Sequence, residues 1–124
     1  KRLHQFGLLN KLYQSKNIQM IDSVGYFEML ELMKNCSFIV TDSGGIQEEA
    51  TAPSIKKKVL VVRKTTDRPE AVLGGFSEIV GTNYNDILRS LKKTTKNPSI
   101  SKKKSPYGNG NSAKKIIQHL KNNL

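Results

Sequence analysis

Val40-Thr41-Asp42-Ser43-Gly44-Gly45-Ile46-Gln47-Glu48-Glu49-Ala50 is the stretch that decides how this chain folds. The β-branched run Phe38-Ile39-Val40-Thr41 leading into it predicts a strand. Asp42-Ser43-Gly44-Gly45 ends that run abruptly, and a helix is expected from about Ile46 to Ala50, stopping before Pro53. Adjacent glycines lack Cβ atoms, so an anion can come close to their backbone N–H groups. The first N–H groups of a helix have no intrahelical partner, and the helix dipole adds about half a positive charge there. A phosphate suits such a bend, with the Ser43 hydroxyl as a further donor. A plain strand–helix turn in which Ser43 is an N-cap would read the same way.

Glu48 and Glu49 follow Gly45 by three and four residues and share its helix face. A carboxylate repels a phosphate, so its useful partner is a hydroxyl pair such as a ribose diol. Acidic residues also favour the first turns of any helix. Spacing alone does not choose between the two glutamates.

Working outward, Val59-Leu60-Val61-Val62 is the most apolar run and reads as a central strand buried on both faces. It leads into Arg63-Lys64-Thr65-Thr66-Asp67-Arg68-Pro69-Glu70, where proline suits the first turn of a helix. Ligands in open α/β sheets sit beyond the carboxyl ends of the strands, which puts both clusters on one edge. Arg68 would then be free to grip a diphosphate in fork geometry. Short strands are also expected at 17–21 and 78–81. Helical faces are expected over residues 1–13, over 26–35 (Tyr26, Met29, Leu30, Met33) and over 84–93 (Tyr84, Ile87, Leu88, Leu91). Residues 96–110, rich in Lys, Ser, Pro and Gly, read as a flexible loop, and residues 111–124 as a C-terminal helix with Ala113, Ile116, Ile117 and Leu120 in line. Strands alternating with helices imply a parallel sheet wrapped by helices. Four strands are fewer than a doubly wound nucleotide-binding unit supplies, so residues 1–124 read as part of such a domain.

Charge is uneven: residues 1–55 carry five Lys/Arg against six Asp/Glu, and residues 56–124 sixteen against four. The lysines come in short runs (56–58, 92–93, 102–104) without interleaved aromatics, which fits a solvated surface better than a nucleic-acid site. A basic binding module stays as the non-enzymatic alternative. No apolar run reaches the roughly 18 residues of a membrane span. The one cysteine, Cys36, fits a reducing cytoplasm and a buried position. His4 and His119 sit in terminal helices away from both clusters and read as surface residues.

Thr41-Asp42-Ser43-Gly44-Gly45-Ile46-Gln47-Glu48-Glu49-Ala50 resembles the signature of the non-hydrolysing UDP-N-acetylglucosamine 2-epimerases. Val59-Leu60-Val61-Val62-Arg63, Thr66-Asp67-Arg68-Pro69-Glu70-Ala71-Val72 and Pro106-Tyr107-Gly108-Asn109-Gly110 resemble three further segments of that family, in order. The resemblance implies the carboxy-terminal part of the second Rossmann-like domain of a two-domain, glycosyltransferase-B-like fold, with the amino-terminal domain as its partner and a homodimer left open. It implies UDP and UDP-GlcNAc as ligands, with Ser43, Gly44 and Gly45 on the diphosphate, Glu49 on the ribose and Arg68 on the phosphate or sugar end. Val24 and Met29 would lie on the uracil side, Met29 standing where the family often has an aromatic. The chemistry implied is elimination of UDP and its re-addition with inversion at carbon 2, interconverting UDP-GlcNAc and UDP-ManNAc. It needs no redox cofactor or metal, and no catalytic residue falls in this chain. A hydrolysing epimerase or a glycosyltransferase is the alternative that keeps the same UDP site.

Overall fold

The computed structural model of the chain describes residues 2–100 and 104–123. Lys1, Ser101, Lys102, Lys103 and Leu124 lie outside the described residues, and with them parts of the expected first helix, 96–110 loop and last helix.

Three strands form a parallel sheet in the order β1 (Ile39–Thr41), β2 (Val59–Val61), β3 (Ser77–Ile79). Ile39 pairs with Val59 and Val59 with Ser77, so the three strands end level with one another. All three residues of β2 are buried, which explains why its sequence is apolar without alternation. Val59 and Val61 point to one face, where they meet Met33, Ala50 and Ile55 in the core, with Met29, Leu30, Ile39, Ile46 and Ala52 packed around them. Leu60 points to the opposite face, and it is as fully buried as Phe76 and Ala71.

Helices connect the strands, as parallel pairing demands. The order begins with α1 (Arg2–Gln5), α2 (Leu8–Gln14) and α3 (Tyr26–Asn35) ahead of β1, and α4 (Gly44–Glu49) joins β1 to β2. Then α5 (Pro69–Leu73) joins β2 to β3, followed by α6 (Tyr84–Lys96) and α7 (Ser112–Asn123). Proline opens α5, and the Asn83 side chain caps α6 by accepting from the Asn85 and Asp86 amides. Among the described residues no helix is long and apolar enough to cross a membrane.

Four expectations change. The first helix is two helices, because Gly7 adopts a left-handed φ of 64° and breaks the ladder between them. Residues 17–21 form no strand: the exposed edge of β1 has no neighbour, and Ile18, Met20 and Ile21 face solvent. The sheet therefore has three strands rather than four among the described residues. Tyr26 and Tyr84 stand exposed at the first positions of α3 and α6, outside the stripes that place Met33 and Leu88 inward. Along α7 the stripe of Ile116, Ile117 and Leu120 is exposed. Cys36, just after α3, is half-buried; its thiol donates to the Met33 carbonyl, and burial pushes its pKa up from the usual thiol value.

Candidate functional site

Each strand of a parallel sheet delivers its following loop to the same edge. Here β1 delivers residues 42–45 and β2, its neighbour, delivers residues 62–68. The two clusters that the sequence singles out are thus side by side.

The first loop is built as a helix start. Ser43 is the N-cap of α4, in extended backbone geometry, and its hydroxyl accepts from the Ile46 amide at 3.5 Å. Its own amide donates to Thr41 Oγ1 at 3.0 Å, which fixes the bend to the end of β1. The Gly44 and Gly45 amides find no acceptor among the described residues, as the first turn of a helix requires. The two glycines differ in their surroundings. A Cβ on Gly44 would sit 3.2 Å from Asp67 Oδ1, whereas one on Gly45 would meet only Ser43 Oγ at 3.9 Å. Gly44 is small because the neighbouring loop touches it, and Gly45 is open to whatever binds there.

Arg68 and Asp67 come from the second loop. Arg68 is not free, contrary to the sequence expectation. Its Nε faces the Glu48 carboxylate, and its Nη1 lies 3.1 Å from Asp67 Oδ2 and donates to the Asp67 carbonyl at 2.9 Å. Asp67 also meets Arg63 Nη1 at 3.3 Å. The guanidinium is poised at the bend but held by carboxylates, so an incoming anion must compete with them. Glu49, next to Glu48, has no ion-pair or side-chain hydrogen-bond partner among the described residues. The structure therefore separates the two glutamates that spacing left equivalent.

Sequence reading passed over Gln47. Its side chain is wholly buried, with Nε2 donating to the Ser43 carbonyl at 3.2 Å and Oε1 accepting from Thr66 Oγ1 at 2.7 Å. Thr66 Oγ1 accepts in turn from the Arg68 amide at 3.1 Å. A polar residue between Ile46 and Ala50, which pack in the core, is the signal that could have found it.

The segment 104–107 braces the site from behind. The hydroxyls of Thr51, fully buried, and Ser105 share a 2.7 Å hydrogen bond, and the Tyr107 hydroxyl donates to Glu70 Oε2 at 3.5 Å. Burial raises the Tyr107 phenol above its usual pKa, and the Glu70 carboxylate adds to the rise.

Val24 and Met29 are not brought together. Val24 lines an open apolar groove of about 500 Å³ with Ile21, Phe27 and Leu32, while Met29 packs against the core. Among the described residues no three His, Cys, Asp or Glu side chains gather closely enough to hold a metal ion.

A family model described as UDP-N-acetylglucosamine 2-epimerase matches residues 3–121. The chain belongs to that family. The UDP-N-acetylglucosamine 2-epimerase of Escherichia coli K12 is 44% identical over 112 residues, which are 87% of this chain and 29% of that protein. The Methanocaldococcus jannaschii UDP-GlcNAc 2-epimerase, solved in complex with UDP-GlcNAc and UDP, superposes with a TM-score of 0.81 at 39% identity, covering 97% of this chain and 32% of that one. The Neisseria meningitidis UDP-GlcNAc 2-epimerase, solved bound to UDP-GlcNAc, gives the same TM-score at 35% identity over 97% of this chain and 33% of its own. The chain thus spans about a third of the length of these epimerases. Its three-stranded parallel sheet is part of their Rossmann-like, glycosyltransferase-B-like architecture.

Proposed function

We propose that this chain supplies the UDP-binding part of a UDP-N-acetylglucosamine 2-epimerase. One observation carries the reading. Two glycine amides and, one turn deeper, a carboxylate, all without partners among the described residues, converge with an arginine at the mouth of the same bend where two parallel strands end. The Ser43, Gly44 and Gly45 bend takes the diphosphate on its amides, with the helix dipole behind it. Arg68 exchanges a carboxylate for a phosphate oxygen, and Glu49 accepts from the ribose hydroxyls. The base lies toward the segment ahead of α3, at Val24.

In the proposed reaction UDP leaves carbon 1 of the sugar and returns to it, with inversion at carbon 2 between the two steps. Bond breaking puts negative charge on the departing diphosphate. Amides and a guanidinium already aimed at that position stabilise it without reorganising. Holding UDP in place between the steps makes re-addition effectively unimolecular. Proton transfer at carbon 2 falls to groups of an amino-terminal domain, with which the chain would share UDP-GlcNAc. The same reading puts the protein in a reducing cytoplasm.

The test is calorimetric titration of the chain with UDP, followed by incubation with UDP-GlcNAc. Saturable binding of UDP without formation of UDP-ManNAc is expected. A chain that ignores UDP but binds single-stranded RNA with a steep salt dependence would replace this reading with a basic nucleic-acid module.

A further inference from the structure

We propose that Gln47 and Thr66 are positioning residues that hold Arg68 in register with the Ser43–Gly44–Gly45 bend, an inference that rests on the diphosphate reading above. A continuous chain of bonds links the two. The Ser43 carbonyl accepts from Gln47 Nε2, Gln47 Oε1 accepts from Thr66 Oγ1, and Thr66 Oγ1 accepts from the Arg68 amide. The Gln47–Thr66 bond spans 19 residues of sequence, whereas the bonds on either side of it are local, four and two residues long. It is therefore the joint between the two loops.

Burial of an amide is costly unless it is fully hydrogen-bonded, and an apolar side chain of similar length would fill the same space. Gln47 is wholly buried yet polar, with its donor committed to one loop and its acceptor to the other. What it supplies beyond packing is a fixed distance. A phosphate gripped by amides from one loop and a guanidinium from the next needs both sets placed within a fraction of an ångström. In its pairs with Glu48 and Asp67 the Arg68 side chain stays about a third exposed, and part-exposed pairs hold a side chain only weakly. Backbone placement of Arg68 by Thr66 is the firmer restraint.

Thr66→Val replaces the hydroxyl by a methyl and leaves Gln47 Oε1 and the Arg68 amide without their partner. Binding of UDP and of uridine is to be measured by calorimetry for the unaltered chain, Thr66→Val, Thr66→Ser and Gln47→Met. Thr66→Val and Gln47→Met should each weaken UDP about tenfold while changing uridine less than twofold, and Thr66→Ser should restore UDP binding. A UDP affinity within twofold of the unaltered chain in Thr66→Val overturns the inference, as does an equal loss for UDP and uridine, which marks a merely structural defect. Failure of the unaltered chain itself to prefer UDP over uridine overturns the diphosphate reading, and this inference with it.

Discussion

The Arg68 guanidinium stands against the Glu48 carboxylate, one turn into the helix that Ser43 caps. The cation that suits a diphosphate is held by an anion belonging to the same site. On the proposed reading, loading UDP would trade one ion pair for another rather than fill an empty place. Such an exchange would keep Arg68 oriented in the absence of ligand and lower the net affinity.

Removing the competing charge should tighten binding. Glu48→Gln is expected to lower the Kd for UDP several-fold, in line with ~0.2–1 kcal/mol for an exposed ion pair. Calorimetry at low and at high salt checks this, and the gain should shrink as salt rises. A weaker complex would mean that Glu48 positions Arg68 for the ligand rather than competing with it.

Glu49 is the glutamate left without a partner among the described residues, so its substitution should be felt by the sugar rather than the phosphate. Glu49→Gln is expected to weaken UDP by about ten- to a hundredfold, consistent with ~1.5–3 kcal/mol for a hydrogen bond to a charged group. The discriminating comparison uses 2′-deoxy-UDP. The unaltered chain should prefer UDP over the deoxy analogue, and Glu49→Gln should lose most of that preference.

Gly45 separates the needs of the fold from those of the ligand. A Cβ there meets nothing closer than 3.9 Å, so Gly45→Ala should leave stability unchanged or raise it by up to ~1 kcal/mol, the helix-propensity gain. The same methyl points into the space assigned to the diphosphate and should weaken UDP binding. Thermal unfolding and calorimetry on one sample show both. Gly44→Ala should gain less than Gly45→Ala, because the Asp67 carboxylate, 3.2 Å from its Cβ, has to shift away.

Tyr107 gives the fold a pH dependence on the alkaline side. Burial and the nearby Glu70 carboxylate raise its pKa in the folded chain, so the unfolded chain loses the phenolic proton first. Its contribution to stability is fully present below about pH 10, the unfolded value, and is lost as pH rises through the folded pKa. Denaturant unfolding between pH 9 and 11 should show a steeper loss for the unaltered chain than for Tyr107→Phe.

Much of this was legible in the sequence because it is local. A β-branched run closed by Ser43-Gly44-Gly45 specifies a strand, a bend and a capped helix within ten residues, and Val59-Leu60-Val61 declares a strand covered on both faces. What was not legible depends on what lies across a gap. Residues 17–21 have the composition of a strand but find no ladder partner beside β1. Arg68 was expected to be free because nothing in its own segment shows that Glu48 would reach it from 20 residues away. Gln47 reads as one polar residue on a short helix until Thr66 is seen opposite. Tyr26 and Tyr84 fit their helical stripes by spacing, yet they stand at the first turn, beyond the body they would pack against.

The diphosphate reading rests on the amides of Gly44 and Gly45, which ¹⁵N–¹H correlation spectra of the chain titrated in parallel with UDP and with uridine report one by one. The Gly44 and Gly45 amide signals should move with UDP, among the largest shifts in the spectrum, and stay in place with uridine. Saturating UDP that leaves both glycine signals where they began would rule out a diphosphate on these amides.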